Sequence, residues 1–410
     1  EGANSHMAES GLTATEAAAR LGVKRQTLYA YVSRGVLPRR VAEDGRTSLF
    51  DPGDVERLRL GRRPETDGEL HTQITTALTR VDDQNLWIRG QDLVAMVSGG
   101  ATFADVVDLL WASPAGETWR APVWDGAGHA SGTKGSASEL SPIDELRVIV
   151  ALSSSADPLR HDLSSKSVRA VGRRLIPALA RGLHPPSDRA AGALGELPHS
   201  LPLSLWTRLA AREPDDKKLA ALDTAMALLV DHGLASSTFA ARIAASVRAD
   251  PYSVVTSGLG AFGGPLHGSA SAGVHDLLTE TERSGSATEA AGVVRRRMGG
   301  YPGFGHTVYK LQDPRYGALM ATLIDAFGDD PRLVSVYRVR DVIGERTDAI
   351  PNIDLAIGAL TYLAEMSPDS GEVIFAVART AGWLAHAMEE YDEKPLRFRP
   401  KAKYAGPSPR

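Results

Sequence analysis

Apolar and polar positions along the first 60 residues form short patterns that are separated by turn signals. Thr13, followed three residues later by Glu16, is a capping box that predicts the start of a helix. A second helical pattern covers about 24–34, and Asp44-Gly45 is typical of a hairpin turn. The order helix, turn, helix, hairpin predicts a small winged helix-turn-helix domain over residues 8–60.

From about residue 70 onward, helix-period patterns dominate the chain. Apolar residues recur at helical spacing over 103–111, 216–230 and 356–366. Strand-like alternation is rare and no strand–helix–strand rhythm is present, so this body is predicted to be all-α. Residues 113–140 are rich in Gly, Ser and Ala, which is typical of a loop.

Composition limits the class of protein. Of the 410 residues, 43% are hydrophobic and 23% are charged, which is ordinary for a globular chain and excludes wholesale disorder. No apolar run reaches the roughly 20 residues that span a bilayer, so no membrane association is predicted. The chain has no cysteine, which excludes disulfides and thiolate metal sites and fits a cytoplasmic protein. No metal site is predicted.

The segments that flank the first domain, and the charge of that domain, differ from the rest of the chain. Residues 1–7 contain Ser5-His6-Met7 and are interpreted as a cloning scar, with no signal peptide after them. Residues 61–69 are predicted to be a linker. Residues 8–63 carry 11 Lys and Arg against 7 Asp and Glu, whereas the rest of the chain has an acidic excess. A basic head on an acidic body suggests two separate tasks.

Three histidines of the body occur in glycine-rich sequences. They are His232 in DHG, His267 in GGPLHG and His306 in PGFGHTVY. Glycines beside a histidine allow a ligand or another backbone segment to come close. A single histidine is more often structural, but three in similar surroundings favour a functional site.

Charged residues next to apolar segments add further candidates. Asp354 precedes an apolar helix, and its position alone fits a helix N-cap better than a catalyst. Arg379 lies within an apolar helix, where a buried arginine requires an anionic partner. Arg315 follows Asp-Pro, and Arg399 precedes a proline near residue 400.

The head has a recognisable sequence. The segment LTATEAAARLGVKRQTLYAYVSRGVL resembles the DNA-binding domain of the MerR and excisionase-like families. The resemblance implies that the second helix enters the major groove of DNA, with residues at its start that reach phosphates or base edges. These residues are Lys24, Arg25, Gln26 and Thr27. The alternative is a small module used for packing or assembly, because its net charge is modest.

Several motifs of the body occur in the order and spacing of the citrate synthase family. They are GGPLHG, PGFGHTVY followed by DPR, PNID, ARTAGW and FRPKAKYAGP. The chain from about residue 70 to 410 therefore resembles a citrate synthase. The resemblance implies an all-α fold with a large domain, 70–254 together with 366–410, and a small domain, 255–365.

The resemblance implies a homodimeric acyltransferase that joins acetyl-coenzyme A to oxaloacetate and needs no cofactor. In this mechanism Asp354 removes a methyl proton, His267 hydrogen-bonds the thioester carbonyl and His306 polarises the ketone of oxaloacetate. The matched oxaloacetate-binding positions are His232, Arg315 and Arg379. Arg399 matches a position that enters the site of the partner subunit.

The resemblance also implies contacts to coenzyme A. Lys310 matches a position that is commonly arginine and is interpreted as a phosphate contact. The matched loop that cradles the adenine consists of Pro302, Gly303, Phe304 and Gly305. Arg295, Arg296 and Arg297 either add to this contact or form a solvated helix face, which is the better interpretation.

Departures from the family pattern leave alternative functions open. Gly233 and Ala235 occupy places where the family often has Glu and Asn, and Ser269 replaces a frequent glycine. One methylene in an acyl pocket discriminates by only about 1–3 kcal/mol, so propionyl-coenzyme A, which would give 2-methylcitrate, is an alternative donor. A DNA-binding transcriptional regulator with a synthase-like sensor body is the alternative from another class.

Overall fold

The computed structural model describes residues 11–33, 36–42, 47–59, 73–115, 117, 119, 140–185, 200–264, 267–268 and 270–400. The chain divides into two compact units, Glu1–Thr75 and Thr76–Arg410. The expectations for residues 1–7, Asp44-Gly45, 61–69, Ser269 and most of 113–140 lie outside the described residues. The boundaries given above for the head, the large domain and the small domain stay predictions.

The first unit has the predicted helix-turn-helix arrangement with a small sheet. Its elements are β1 (Leu12–Thr13), α1 (Ala14–Leu21), α2 (Arg25–Ser33), β2 (Arg40–Val41), β3 (Ser48–Phe50) and α3 (Pro52–Arg59). The strands are antiparallel in the order β1–β3–β2. Thr13 and Glu16 form the capping box of α1, and Gly22 ends this helix at φ +68°, a conformation that glycine adopts readily. Leu28 and Phe50 are fully buried between these elements.

Helices make up most of the described part of the second unit, which confirms the all-α prediction. They are α4 (Leu93–Ser98), α5 (Phe103–Leu110), α6 (Pro142–Ala156), α7 (Ser165–Gly182), α8 (Leu201–Leu209), α9 (Asp216–Leu229), α10 (Ser236–Ser246), α11 (Pro251–Phe262), α12 (Ala270–Ser284), α13 (Ala287–Met298), α14 (Pro314–Phe327), α15 (Leu333–Gly344), α16 (Ile353–Leu363) and α17 (Ser370–Tyr391). None of the described helices has the length and apolarity that crossing a bilayer requires.

One small sheet in the second unit departs from the purely helical expectation. It contains β4 (Thr79–Val81), β5 (Leu86–Ile88) and β6 (Gln91–Asp92), antiparallel in that order, with Thr79 opposite Ile88. Strands of two or three residues are too short for a period of two to be visible in the sequence.

Helix α17 is the central element of the second unit. Nearly all of its residues are buried, including Trp383 and Arg379, as expected for a helix whose apolar residues are spread around its circumference. It packs against α7, α10 and α11. At Gly258 of α11 an added Cβ would lie 2.6 Å from the ring of Trp383, so only glycine allows this close approach.

Candidate active site

One cavity of about 790 Å³ in the second unit brings together most of the residues singled out by the sequence. Its walls come from β4, the turn after α9, the start of α12, the segment that precedes α14, the first turn of α16, and α17. The side chains that line it include His232, His267, His306, Arg315, Asp354 and Arg379. The described residues contain no cluster of metal-ligating side chains.

Arg315 places a buried positive charge in one wall of the cavity. Its Nε and Nη2 atoms donate to Asp313 at 3.0 and 2.8 Å, and Asp313 also accepts from the main-chain N–H of Ile353 at 3.0 Å. Burial by itself raises the pKa of Asp313, but the charge and the hydrogen bonds of Arg315 outweigh it and hold this pKa below its ordinary value. The pair fixes Arg315 to the first turn of α16 and leaves Nη1 for a ligand.

Arg379 on α17 places a second cation in the cavity. Its Nε donates to the carbonyl of Leu229 at 2.8 Å, whereas its buried Nη2 has no hydrogen-bond partner in the described structure. Burial lowers the pKa of Arg379 to about 10, although the nearby Asp231 opposes this shift. A buried cationic N–H without an acceptor is costly, so the geometry favours a carboxylate ligand at this point.

The turn after α9 is held by the fully buried carboxylate of Asp231. Its Oδ2 accepts from Thr79 Oγ1 at 2.5 Å and from the main chain of Gly233 at 3.2 Å, and lies 3.2 Å from His386 Nε2. Burial alone raises the pKa of Asp231, but the interactions with His386 outweigh it and lower this pKa to about 2. The ionised carboxylate therefore ties β4, the turn and α17 together.

His306 has a defined tautomer. Its Nδ1 accepts hydrogen bonds from the main-chain N–H groups of Val308 and Tyr309, at 3.0 and 3.1 Å. Burial and the charge of Arg315 lower the pKa of His306, so the ring is neutral at pH 7. A neutral imidazole whose Nδ1 is an acceptor carries its proton on Nε2, so His306 offers a donor at that atom.

Two further neutral imidazoles line the cavity. His267 Nε2 lies 3.0 Å from the hydroxyl of the buried Ser237, and His232 Nε2 lies 3.0 Å from the hydroxyl of Tyr309. Burial lowers the pKa of His267 and, more strongly, that of His232. The rings of His232 and His306 meet edge to face with their centroids 5.3 Å apart. Each ring has one protonated nitrogen and one acceptor for substrate or for a neighbour.

Asp354 supplies the carboxylate of the cavity. It lies in the first turn of α16, and its main-chain N–H donates to Asn352 Oδ1 at 2.9 Å. Asn352 is the N-cap, so the interpretation of Asp354 as a cap was wrong. Burial raises the pKa of Asp354 to about 6, although Arg315 opposes the shift. Asp354 is therefore ionised at neutral pH and is a stronger base than an ordinary aspartate.

The loop over residues 302–305 rests against the start of α16. Gly303 has φ +80°, and an added Cβ would lie 2.7 Å from Val274. The carbonyl of Gly303 accepts a hydrogen bond from the main-chain N–H of Asn352 at 2.9 Å. The carbonyl of Gly305 accepts a hydrogen bond from the side-chain Nδ2 of Asn352 at 2.7 Å. Lys310 is exposed, and its Nζ donates to the carbonyl of Thr307 at 2.7 Å.

Comparison with protein families identifies both units. A model described as the citrate synthase C-terminal domain matches residues 70–401. The chain belongs to the citrate synthase family. A helix-turn-helix domain model matches residues 12–63. The recognition of a citrate synthase body with an N-terminal helix-turn-helix domain is thus confirmed, as is the prediction of a transferase-type enzyme.

Individual relatives within the citrate synthase family include two product classes. The chain is 37% identical over 202 residues to a citrate synthase of Haloferax volcanii, a match covering 48% of this chain and 53% of that one. It is 27% identical over 353 residues to 2-methylcitrate synthase 1 of Corynebacterium glutamicum, covering 81% and 92%.

A solved citrate synthase has the same fold. This enzyme, from Thermoplasma acidophilum, was determined in a ternary complex with carboxymethyl coenzyme A and oxaloacetate. The match has a TM-score of 0.64 at 22% identity, and covers 83% of this chain and 95% of that one. At this level of identity the likeness shows the fold.

The remaining residues singled out from the sequence lie partly in the cavity and partly outside it. Arg399 is exposed and is not among the described residues that line the cavity. Gly233 and Ala235, the two departures from the family pattern, both line it. In the first unit Lys24, Arg25 and Gln26 are exposed, whereas Thr27 is half-buried.

Several residues of the site were not singled out from the sequence. They are Thr79, Ser237, Tyr309, Asp313, Asn352 and Phe375. Asp313 lies in the motif DPR, and its closeness in sequence to Arg315 was a usable signal for an ion pair. The hydroxyls of Ser237 and Tyr309 carried no such signal, because their histidine partners are 30 and 77 residues away.

Proposed function

We propose that this enzyme condenses acetyl-coenzyme A, oxaloacetate and water to citrate, free coenzyme A and a proton. The observation that carries the proposal is a carboxylate of raised pKa, Asp354, in one cavity with two buried arginines and three neutral histidines. A dianionic substrate fits this set, because arginine binds carboxylates in a well-defined geometry.

In the first step Asp354 takes a proton from the acetyl methyl group. The methyl group of a thioester is a very weak acid, so the charge that develops on the carbonyl oxygen needs a donor. His267 is assigned this role. If the hydroxyl of Ser237 donates to its Nε2, the ring proton is on Nδ1 and this N–H can donate a hydrogen bond to the oxygen of the enol.

In the second step the enol carbon attacks the ketone carbon of oxaloacetate, and the ketone oxygen takes up a proton. His306 is assigned to polarise and protonate this oxygen through Nε2–H. His232, Arg315 through Nη1 and Arg379 through Nη2 are assigned to the carboxylates of oxaloacetate. Water then cleaves the thioester of citryl-coenzyme A, which releases the thiol.

Coenzyme A is assigned to the loop over 302–305 and to Lys310. The loop offers main-chain groups next to α16, and the ammonium of Lys310 is exposed close by. A phosphate would compete with the carbonyl of Thr307 for this ammonium, because Lys binds phosphate as a point charge. No residue of this enzyme is assigned to hold a separate cofactor.

A thiol-release assay tests the reaction. Purified enzyme is mixed with oxaloacetate and either acetyl- or propionyl-coenzyme A, and free thiol is followed against omission of each substrate. We expect the larger kcat/KM with acetyl-coenzyme A. A larger value with propionyl-coenzyme A would instead assign 2-methylcitrate synthesis, and no thiol release with either would contradict the condensation.

The active enzyme is proposed to be a homodimer in which Arg399 completes the site of the partner. Arg399 is exposed in its own chain. Three apolar side chains near the C-terminal segment, Ile243, Val247 and Leu396, are 42%, 55% and 63% exposed, and the N–H of Leu396 donates to Ser246 at 2.9 Å. Exposed apolar side chains that lie together favour burial against another subunit.

The first unit is proposed to bind DNA, as a second function. Lys24, Arg25 and Gln26 are exposed at the start of α2, and Arg40 of β2 is exposed as well. Side chains of these types reach phosphates and base edges when such a helix enters a major groove.

Enrichment of genomic fragments by the full chain, measured at several salt concentrations, tests DNA binding. We expect selective enrichment that weakens steeply as salt rises, because bound phosphates release counterions. The variant K24A/R25A should lose it, whereas R346A, an exposed arginine of the second unit, should not. Absence of selective enrichment would favour a role in assembly.

A further inference from the structure

We propose that Tyr309 is a positioning residue that fixes the two imidazoles His232 and His306 and the guanidinium of Arg315 for binding oxaloacetate. The inference rests on the proposed function, because it concerns the same site. Tyr309 itself is only 1% exposed and is not among the described residues lining the cavity, so it acts through its neighbours.

Tyr309 contacts these three cavity residues through its hydroxyl, its main-chain N–H and its ring. Its hydroxyl lies 3.0 Å from His232 Nε2, and its main-chain N–H donates to His306 Nδ1 at 3.1 Å. Its ring centroid is 4.6 Å from that of His306 and 5.5 Å from the guanidinium carbon of Arg315. One buried residue thus sets the orientation of three groups assigned to the substrate.

The hydroxyl of Tyr309 also determines which nitrogen of His232 is protonated. Burial raises the pKa of the Tyr309 hydroxyl to about 12, so this hydroxyl stays protonated and has a hydrogen to donate. In the proposed arrangement it donates to Nε2 of His232, which lies 3.0 Å away. A neutral imidazole has a single N–H, so the proton of His232 is then on Nδ1.

This arrangement has a consequence for oxaloacetate. The substrate meets a His232 ring whose rotation is already restrained, so less conformational freedom is lost on binding. Without the hydroxyl, the ring can rotate and exchange tautomers. Removing the hydroxyl should therefore weaken the binding of oxaloacetate more than it slows the proton transfer to Asp354.

The variant Tyr309→Phe removes the hydroxyl and keeps the ring and the main-chain N–H. We expect KM for oxaloacetate to rise on the order of tenfold, the usual effect of one hydrogen bond, with kcat changed by less than threefold. The matched control is Tyr391→Phe, a buried tyrosine outside the cavity whose hydroxyl donates to Ala249 at 2.6 Å. It loses an equivalent bond and should leave KM unchanged.

A spectroscopic measurement separates positioning from a general structural effect. In enzyme labelled with 15N-histidine, the His232 ring should show a single tautomer with Nε2 as acceptor, and Tyr309→Phe should move its nitrogen shifts toward a mixture. Equal KM values in Tyr309→Phe and the parent, or unchanged His232 shifts, would overturn the proposal.

Failure of the proposed function would look different. A parent enzyme that releases no thiol and shows no heat of oxaloacetate binding in calorimetry would contradict the condensation reaction. The His232 shifts of Tyr309→Phe would still decide whether Tyr309 fixes this ring.

Discussion

At the residue scale, Asp354 carries the most specific chemical assignment. Its pKa is raised to about 6 by burial, and the positive charge of Arg315 limits the shift. We expect Asp354→Asn to lower kcat by about 10²–10⁴-fold in the thiol-release assay, because the base is lost while the shape is kept. Its melting temperature should change little, because the substitution breaks no side-chain hydrogen bond of the described structure and the cost of burying the carboxylate offsets the lost attraction to Arg315 and Arg379.

The control for this substitution is Asp348→Asn, at an exposed carboxylate six residues earlier in the chain. It should leave kcat unchanged. Turnover of the Asp354→Asn enzyme within threefold of the parent would rule out Asp354 as the base.

The same carboxylate predicts how activity depends on pH. The base must be ionised, and its raised pKa means that protonation begins to compete as the pH falls toward about 6. Below that point kcat/KM should fall tenfold per pH unit. Burial lowers the pKa values of His267 and His306, so these rings take up a proton at a lower pH than an ordinary imidazole does. If kcat/KM instead fell only near about pH 4, the ordinary pKa of an aspartate, the result would contradict a buried Asp354 with a raised pKa.

Site residues whose side chains are rarely found in their sequence context could be predicted from the sequence. Arg379 stood out because a cation in an apolar helix needs an anion, and the structure places it buried with an unpaired Nη2. Ser237 and Tyr309 did not stand out, because a hydroxyl is common in any environment. Their importance arises only when the fold brings a histidine within 3.0 Å.

At the element scale, the site depends on how closely α17 approaches the turn after α9. At Gly382 an added Cβ would collide with the carbonyl of Val230 and lie 2.8 Å from Asp231 Oδ1. We expect Gly382→Ala to cost about 1–3 kcal/mol of stability through overpacking. It should also raise KM for oxaloacetate, because the turn carries His232 and the helix carries Arg379.

Gly260→Ala is the matched control within a helix. Gly260 is exposed on α11 and an added Cβ would meet nothing within 4 Å. Alanine there should stabilise the protein by up to about 1 kcal/mol, since it has the higher helix propensity. Thermal unfolding gives the stability of both variants, and kinetics at varied oxaloacetate concentration give their KM values. Equal stability and equal KM in the two variants would contradict the inference that α17 and the turn after α9 lie too close at Gly382 for a Cβ.

The helices were more predictable than the short strands. The apolar pattern over 103–111 corresponds to α5, and the pattern over 216–230 corresponds to α9. The sheet over 79–92 was missed, although Thr79 at its edge bonds to Asp231. Its strands are held by antiparallel pairing, which a local pattern cannot report.

At the scale of the whole molecule, the two-unit organisation followed from the change in charge and pattern near residue 60. The order of the motifs was enough to recognise the family of the second unit. The gathering of residues from 232 to 379 in one cavity depends on packing across the whole unit and was inferred only through that recognition.

The last prediction concerns subunits. If Arg399 completes the partner's site, R399A and D354N chains are each inactive as homodimers. In a hybrid dimer, one site combines Asp354 of the first chain with Arg399 of the second and is intact, while the other lacks both. An equimolar exchange gives hybrids as half of all dimers, so about a quarter of the parent activity should return. With Arg399 acting in its own chain, every site in the hybrid would lack one residue, and proven exchange without recovery would establish that arrangement instead.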